Sequence, residues 1–130
     1  MNAPAMIGTL FFDGDCGICT RARNFLLRLN RTGNLQTKPL QARGVAEQLG
    51  IPPSRLLESA RWLDPSGAVY SGAEAANAAL SAALGIRVPL IVYRFPGVRW
   101  IEDAIYHWVA THRDRLPGTT PYCQAHPDEC

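Results

Sequence analysis

An apolar run, Ile7-Gly8-Thr9-Leu10-Phe11-Phe12, leads directly into Asp13-Gly14-Asp15-Cys16-Gly17-Ile18-Cys19. Beyond it Ile18, Ala22, Phe25, Leu26 and Leu29 recur at spacings of three and four. The first segment reads as a buried strand and the last as an amphipathic helix over about residues 17 to 30, so two cysteines sit where strand hands over to helix. The first N–H groups of a helix have no intrahelical acceptor, and the aligned peptide dipoles leave partial positive charge there. A sulfur at that point is favoured as its thiolate. Two intervening residues put both sulfurs on one face of the first turn, within reach of a small disulfide ring. A reversible dithiol/disulfide couple is the simplest chemistry this arrangement supports.

The elements that follow constrain the fold further. Asn30 to Asn34 has turn chemistry, Leu35 to Leu40 alternates weakly as a second strand, and Ala42 to Leu49 forms a short helix before Ile51-Pro52-Pro53-Ser54. Asp64-Pro65-Ser66-Gly67 between Ser59–Asp64 and Ala68–Ser71 signals a hairpin. After Gly72 an alanine-rich helix runs to about Leu84, with Ala76, Ala79, Leu80, Ala83 and Leu84 as its stripe and Gly85 as its cap. Strand, crossover helix, strand and hairpin imply a small mixed sheet flanked by helices, a thioredoxin-like α/β architecture. Val88 to Val98 fits helix or strand equally. Trp100 to about Arg115 reads as a helical extension whose Trp100, Ile101, Ala104, Ile105, Trp108 and Val109 stripe is expected to pack into the core. The organisation expected is an N-terminal tail over 1–6, one domain over 7–116, and a polar tail over 117–130.

Composition excludes several function classes. A 47% apolar, 18% charged chain is neither disordered nor fibrous. A net charge of +2, with basic residues scattered, argues against nucleic acid. No apolar stretch reaches the roughly 18 residues of a membrane span, and Met1 to Met6 lacks the pattern of an export signal. The expectation is a cytoplasmic protein, without membrane contact or a bound cofactor, whose cysteines are reduced, catalytic or metal-bound.

Phe12-Asp13-Gly14-Asp15-Cys16-Gly17-Ile18-Cys19 resembles the DCC family of thiol-disulfide oxidoreductases, named for an Asp-x-x-Cys-x-x-Cys signature matched by Asp13, Cys16 and Cys19. Asp64, Gly67, Val69 and Tyr70 resemble the family's hairpin and Gly72 to Ala76 the helix start after it, while Tyr106 and Arg113 resemble the Tyr and later Arg of its C-terminal helix. The resemblance covers about residues 7 to 116 and implies a thioredoxin-like fold and protein-disulfide reductase activity. Its substrate would be a disulfide-containing protein or small molecule, and a cellular dithiol would recycle it. Thioredoxins set a cis-proline before the third strand, opposite the dithiol; here Pro52 and Pro53 lie several residues too early.

In this reading Cys16, expected to be the more exposed sulfur, attacks a disulfide, and Cys19 resolves the mixed disulfide. Carboxylates beside the sulfurs disfavour their ionised forms. Asp13 is nonetheless placed to take the Cys19 proton as a general base, or else closes a turn while Asp15 caps the helix. Gly17-Ile18, without the proline of thioredoxin, implies a less reducing couple. Three other readings compete. Cys16 and Cys19 with Cys123, His126 or Cys130 would suit tetrahedral zinc, although free tail thiols are the simpler expectation. Asp13 and Asp15 after a strand also resemble the start of haloacid-dehalogenase-like phosphatases. A non-catalytic docking module is the third. His107 and His112 read as surface positions.

Overall fold

A computed structural model describes residues 7–113 and 115–130; the tail expected over 1–6 lies outside the described residues. Strand β1 (Gly8–Phe12) is buried on both faces because helices cover both sides of it. Leu10 points into one cluster, with Leu35, Trp62 and the alanines of the third helix. Phe11 points into the other, with Leu40, Val45, Leu49 and Leu56. Alternation along the strand thus feeds two half-cores from one segment. Gly8 gives up its side chain to the Trp62 indole, which a Cβ there would penetrate.

From β1 the chain enters α1 (Gly17–Arg28) and returns as β2 (Leu35–Pro39), parallel to β1 from Gly8 opposite Leu35 to Phe12 opposite Pro39. A five-residue α2 (Val45–Leu49) and a 3-10 turn (Pro53–Glu58) follow. The hairpin forms as expected, β3 (Arg61–Leu63) antiparallel to β1 and β4 (Val69–Ser71) antiparallel to β3. Its turn is held by Asp64, whose carboxylate accepts Ser66 N–H at 3.1 Å, Ser66 Oγ at 2.6 Å and Trp62 Nε1 at 3.2 Å. Sheet order is β2-β1-β3-β4, a mixed four-stranded sheet with flanking helices, and the architecture is thioredoxin-like.

Helix α3 (Gly72–Leu84) packs on the sheet through Ala75, Ala78, Ala79 and Ala83. The buried stripe is therefore turned from the one expected, sharing Ala79 and Ala83 but leaving Ala76, Leu80 and Leu84 partly exposed. Residues of undecided type in sequence become helix α4 (Val88–Arg94); Phe95 breaks it, and α5 (Pro96–His112) starts at the next residue. A larger correction concerns α5, none of whose residues is buried. Of the stripe expected in the core, Trp100, Ile101, Ala104, Ile105 and Trp108 face outward, with Trp100 75% and Trp108 54% exposed, and only Val109 turns inward. The opposite side of α5 packs inward, where Glu102 accepts a hydrogen bond from Asn77 and Asp103 one from Tyr93.

Beyond α5 the expected polar tail folds back onto the domain. It ends in helix α6 (Tyr122–Ala125) and a 3-10 turn, with Cys123 buried. Cys123 and Cys130 form a disulfide, so the tail thiols expected to be free are joined. Of the described helices, none is long and apolar enough to cross a membrane.

Candidate active site

The loop between β1 and α1 is built from its own backbone and two carboxamide contacts. Cys16 N–H donates to the Asp13 carbonyl at 3.2 Å, Asp15 N–H to Asp13 Oδ1 at 3.0 Å, and Gly14 N–H to Gln41 Oε1 at 2.9 Å. Gln41 Nε2 donates to Asp13 Oδ1 at 2.7 Å, so a residue just past β2 clamps the loop. Cys16, not Asp15, caps α1. Its backbone is extended, and its sulfur accepts Cys19 N–H at 3.3 Å, one of the orphan donors of the first turn. No acidic residue lies in that turn.

The exposure of the two cysteines is the reverse of the order expected. Cys16 is 9% exposed, whereas Cys19 is half-buried. What covers Cys16 is the returning chain. Thr119 N–H donates to the Gly17 carbonyl at 3.2 Å, Tyr122 N–H to Thr20 Oγ1 at 3.1 Å, and Cys123 N–H to the Gly14 carbonyl at 2.9 Å. Thr20 in turn donates its hydroxyl to the Cys16 carbonyl at 2.9 Å. The Tyr122 ring meets Phe12 edge-on and lies under the Arg23 guanidinium. Residues 117–123 thus form a strap across the start of α1, and two glycines make the crossing possible. A Cβ at Gly118 would enter the Gly17 and Ile18 backbone, and one at Gly17 would stand 2.7 Å from the Thr119 carbonyl oxygen. Gly118→Ala is therefore expected to lift the strap and raise the rate at which iodoacetamide modifies Cys16, followed by mass spectrometry. An unchanged rate would show that the strap does not limit access to that sulfur.

Asp13 is buried and ion-paired, its Oδ2 lying 3.0 Å from Arg113 Nη1. The same guanidinium nitrogen stands 3.9 Å from Cys19 Sγ. Burial alone would lower the Arg113 pKa, but Asp13 and then Cys19 outweigh it and hold the charge in place. Cys19 is pushed up to about 12, first by burial, then by its hydrogen bond to Cys16 and by negative charge on the Cys16 sulfur; Arg113 pulls the other way. Tyr106 completes the surround, its hydroxyl accepting Ala60 N–H at 2.9 Å and its pKa raised chiefly by burial. Ser59 and Ala60, rather than Pro52 or Pro53, border the cavity that contains Cys19. Every peptide bond among the described residues is trans.

Two spaces meet at the cysteines. A cleft of about 430 Å³ opens on Cys16 between Asp13, Asp15, Arg113, Leu116 and Thr119. An apolar cavity of about 160 Å³ lies behind Cys19, walled by Leu10, Phe12, Leu26, Tyr106 and Val109. The sequence profile of the DCC1-like thiol-disulfide oxidoreductases matches residues 10–119. The chain belongs to that family. Thiol-disulfide exchange is the general chemistry of that family, and the chain carries a Cys-x-x-Cys at Cys16 and Cys19. No curated protein and no solved structure matches the chain. The match to the DCC1-like family stops short of α6 and the Cys123–Cys130 disulfide, which lie beyond it.

The structure brings Cys16, Cys19 and Asp13 together, and sets Arg113 and Tyr106, which the resemblance alone singled out, against Cys19. Gln41, Thr20 and the Gly118-Thr119 strap carried no sequence signal as site residues. The zinc set does not assemble. Cys123 and Cys130 are bonded to each other, and among the described residues no three His, Cys, Asp or Glu side chains converge as metal ligands. Nor do Asp13 and Asp15 make a carboxylate pair of the phosphatase kind, since the first is buried against Arg113 and the second exposed.

Proposed function

We propose that the protein is a protein-disulfide reductase in which Cys16 is the attacking sulfur and Cys19 the resolving one. The carrying observation is the division of labour in the pair: Cys16 receives a helix-terminal N–H, while Cys19 holds its proton beside it. The thiolate is the nucleophile, so protonation outweighs the greater exposure of Cys19 in deciding which sulfur attacks. Cys16 attacks a substrate disulfide, forms a Cys16–substrate bond, and expels one substrate sulfur, which takes up a proton. Cys19 then loses its proton and attacks the Cys16 sulfur, releasing the second substrate thiol and leaving a Cys16–Cys19 disulfide. An external dithiol donates two electrons and two protons to restore the pair.

Asp13 serves this sequence by position. Its oxygens are engaged by Arg113, Gln41 and Asp15 N–H, which favours a role in holding Arg113 at Cys19 over direct removal of the Cys19 proton. The cleft at Cys16 would take the substrate chain, and the apolar cavity behind Cys19 an aliphatic side chain of it. A reducing cytoplasm would supply the recycling dithiol; a Cys123–Cys130 pair that stays oxidised in cells would place the protein in an oxidising compartment instead.

The test is reduction of insulin disulfides by the full chain with dithiothreitol as electron source. Wild type is expected to accelerate precipitation of the insulin B chain, and Cys16→Ser to fall to the rate of dithiothreitol alone. A Cys16→Ser variant as fast as wild type would refute the assignment.

A further inference from the structure

Helix α5 is amphipathic with its apolar side out. Trp100, Ile101, Ala104, Ile105 and Trp108 face solvent, while Glu102, Asp103 and Tyr106 are hydrogen-bonded to Asn77 of α3, Tyr93 of α4 and the Ala60 N–H just before β3. Val88, Ile91 and Val92 of α4 are exposed as well, as is Phe95 between the two helices. The exposed apolar patch on a monomer rarely exceeds roughly 300–600 Å². Phe95, Trp100 and Trp108 are each more than half exposed, and a buried aromatic side chain covers roughly 150–250 Å². With their aliphatic neighbours they offer on the order of the ~800 Å² that each partner of a standard interface buries.

We infer that this face is covered by a second copy of the chain, joined through α5 about a two-fold axis at Ala104. A two-fold interface must be self-complementary: what residue i meets on the other copy must meet i in return. The stripe has that property. Trp100 stands four residues before Ala104 and Trp108 four after, on one face of the helix. In an antiparallel pair centred on Ala104, Trp100 lies against Trp108 of the second copy, and Trp108 against its Trp100. The alanine at the centre lets the two helices approach closely, and Ile101 and Ile105 fill the space beside the axis.

A lipid surface fits less well. An interfacial helix sets an apolar face beside a polar face rich in Lys and Arg, but α5 carries a single residue of that kind, Arg99. The bordering Arg94 and Arg99 pair with Glu74 and Asp103 and lie over the Tyr70 and Tyr93 rings, so their charge is already answered. The pairing also bears on the cysteines, because Tyr106 and Arg113 project from the inner side of α5 and its end.

Size-exclusion chromatography with light scattering on the full chain, at 1–100 μM by order of magnitude, is expected to give twice the chain mass. Trp100→Glu with Trp108→Glu is expected to give a monomer with an unchanged circular dichroism spectrum, since both side chains are exposed. Should that variant misfold, Ala104→Cys in a Cys16→Ser, Cys19→Ser background is expected to cross-link with a short bis-maleimide, and Glu47→Cys on α2 is not. A monomeric wild type throughout the range, a dimer that survives both Glu substitutions, or absent cross-linking at 104 overturns the inference. A monomer that instead sediments with phosphatidylglycerol vesicles would assign the face to membrane.

Discussion

A Cys19→Ser variant mixed with a disulfide substrate is expected to accumulate a covalent adduct on Cys16, and a Cys16→Ser variant to accumulate none. Intact-protein mass spectrometry reads both. The expectation rests on Cys19 being the sulfur that holds its proton. Burial, the hydrogen bond to Cys16 and negative charge on Cys16 hold Cys19 up at about 12. A raised thiol pKa means that Cys19 stays protonated at neutral pH, its reactive fraction rising about tenfold per pH unit until the pKa is reached. In the free dithiol, therefore, iodoacetamide at neutral pH should label Cys16 first. Once Cys16 is tied into a mixed disulfide its sulfur carries no charge. Two of the causes that hold Cys19 protonated then vanish, leaving burial against the pull of Arg113. Attack on the substrate itself releases the resolving sulfur. An adduct on Cys16→Ser, or labelling of Cys19 ahead of Cys16, would reverse the two roles.

The parts of this molecule legible in sequence are those where local chemistry and tertiary demand agree. The β1–loop–α1 junction carries period-two and period-three-to-four patterns on either side of a dithiol. Asp64-Pro65-Ser66-Gly67 states its turn through side-chain and backbone hydrogen bonds that need no distant partner. The alanine helix was readable as a helix but not in rotation, since a segment so uniformly small gives little to mark which side meets the sheet. Periodicity likewise marks the stripe of α5 without saying whether core or another molecule covers it, and the solvent side was the apolar one. The strap was illegible for a different reason. Gly17 and Gly118 meet across about a hundred residues of chain, and neither carries a side chain to announce the contact. Cys123 and Cys130, read as free or as zinc ligands, pair with each other because the chain turns back within α6 and the following 3-10 turn.

Arg113→Met is expected to slow resolution of the mixed disulfide far more than its formation. Arg113 is the cation that favours the Cys19 thiolate. Without it the Cys19 pKa moves further up, and the pH at which resolution accelerates moves up with it. Each unit of that displacement costs about tenfold in the rate at neutral pH. The attack of Cys16 keeps its helix-terminal N–H and loses only the weaker attraction of Arg113, so it should change less. The same substitution strands the Asp13 carboxylate, whose side chain is 11% exposed, with only Gln41 and Asp15 N–H. Breaking a fully buried ion pair costs about 3–5 kcal/mol. The Arg113 side chain is 35% exposed, and solvent screening at that side reduces the expected loss to about 1–3 kcal/mol by urea denaturation. Lifetime of the adduct and stability must then be separated. Adding Asp13→Asn to Arg113→Met removes the stranded charge and should recover much of the lost stability, yet it restores no cation at Cys19, so the adduct should stay long-lived. Arg113→Lys keeps the charge without the planar fork and should recover part of the resolution rate. If resolution returned with stability in the double variant, Arg113 would be a brace for the loop and nothing more.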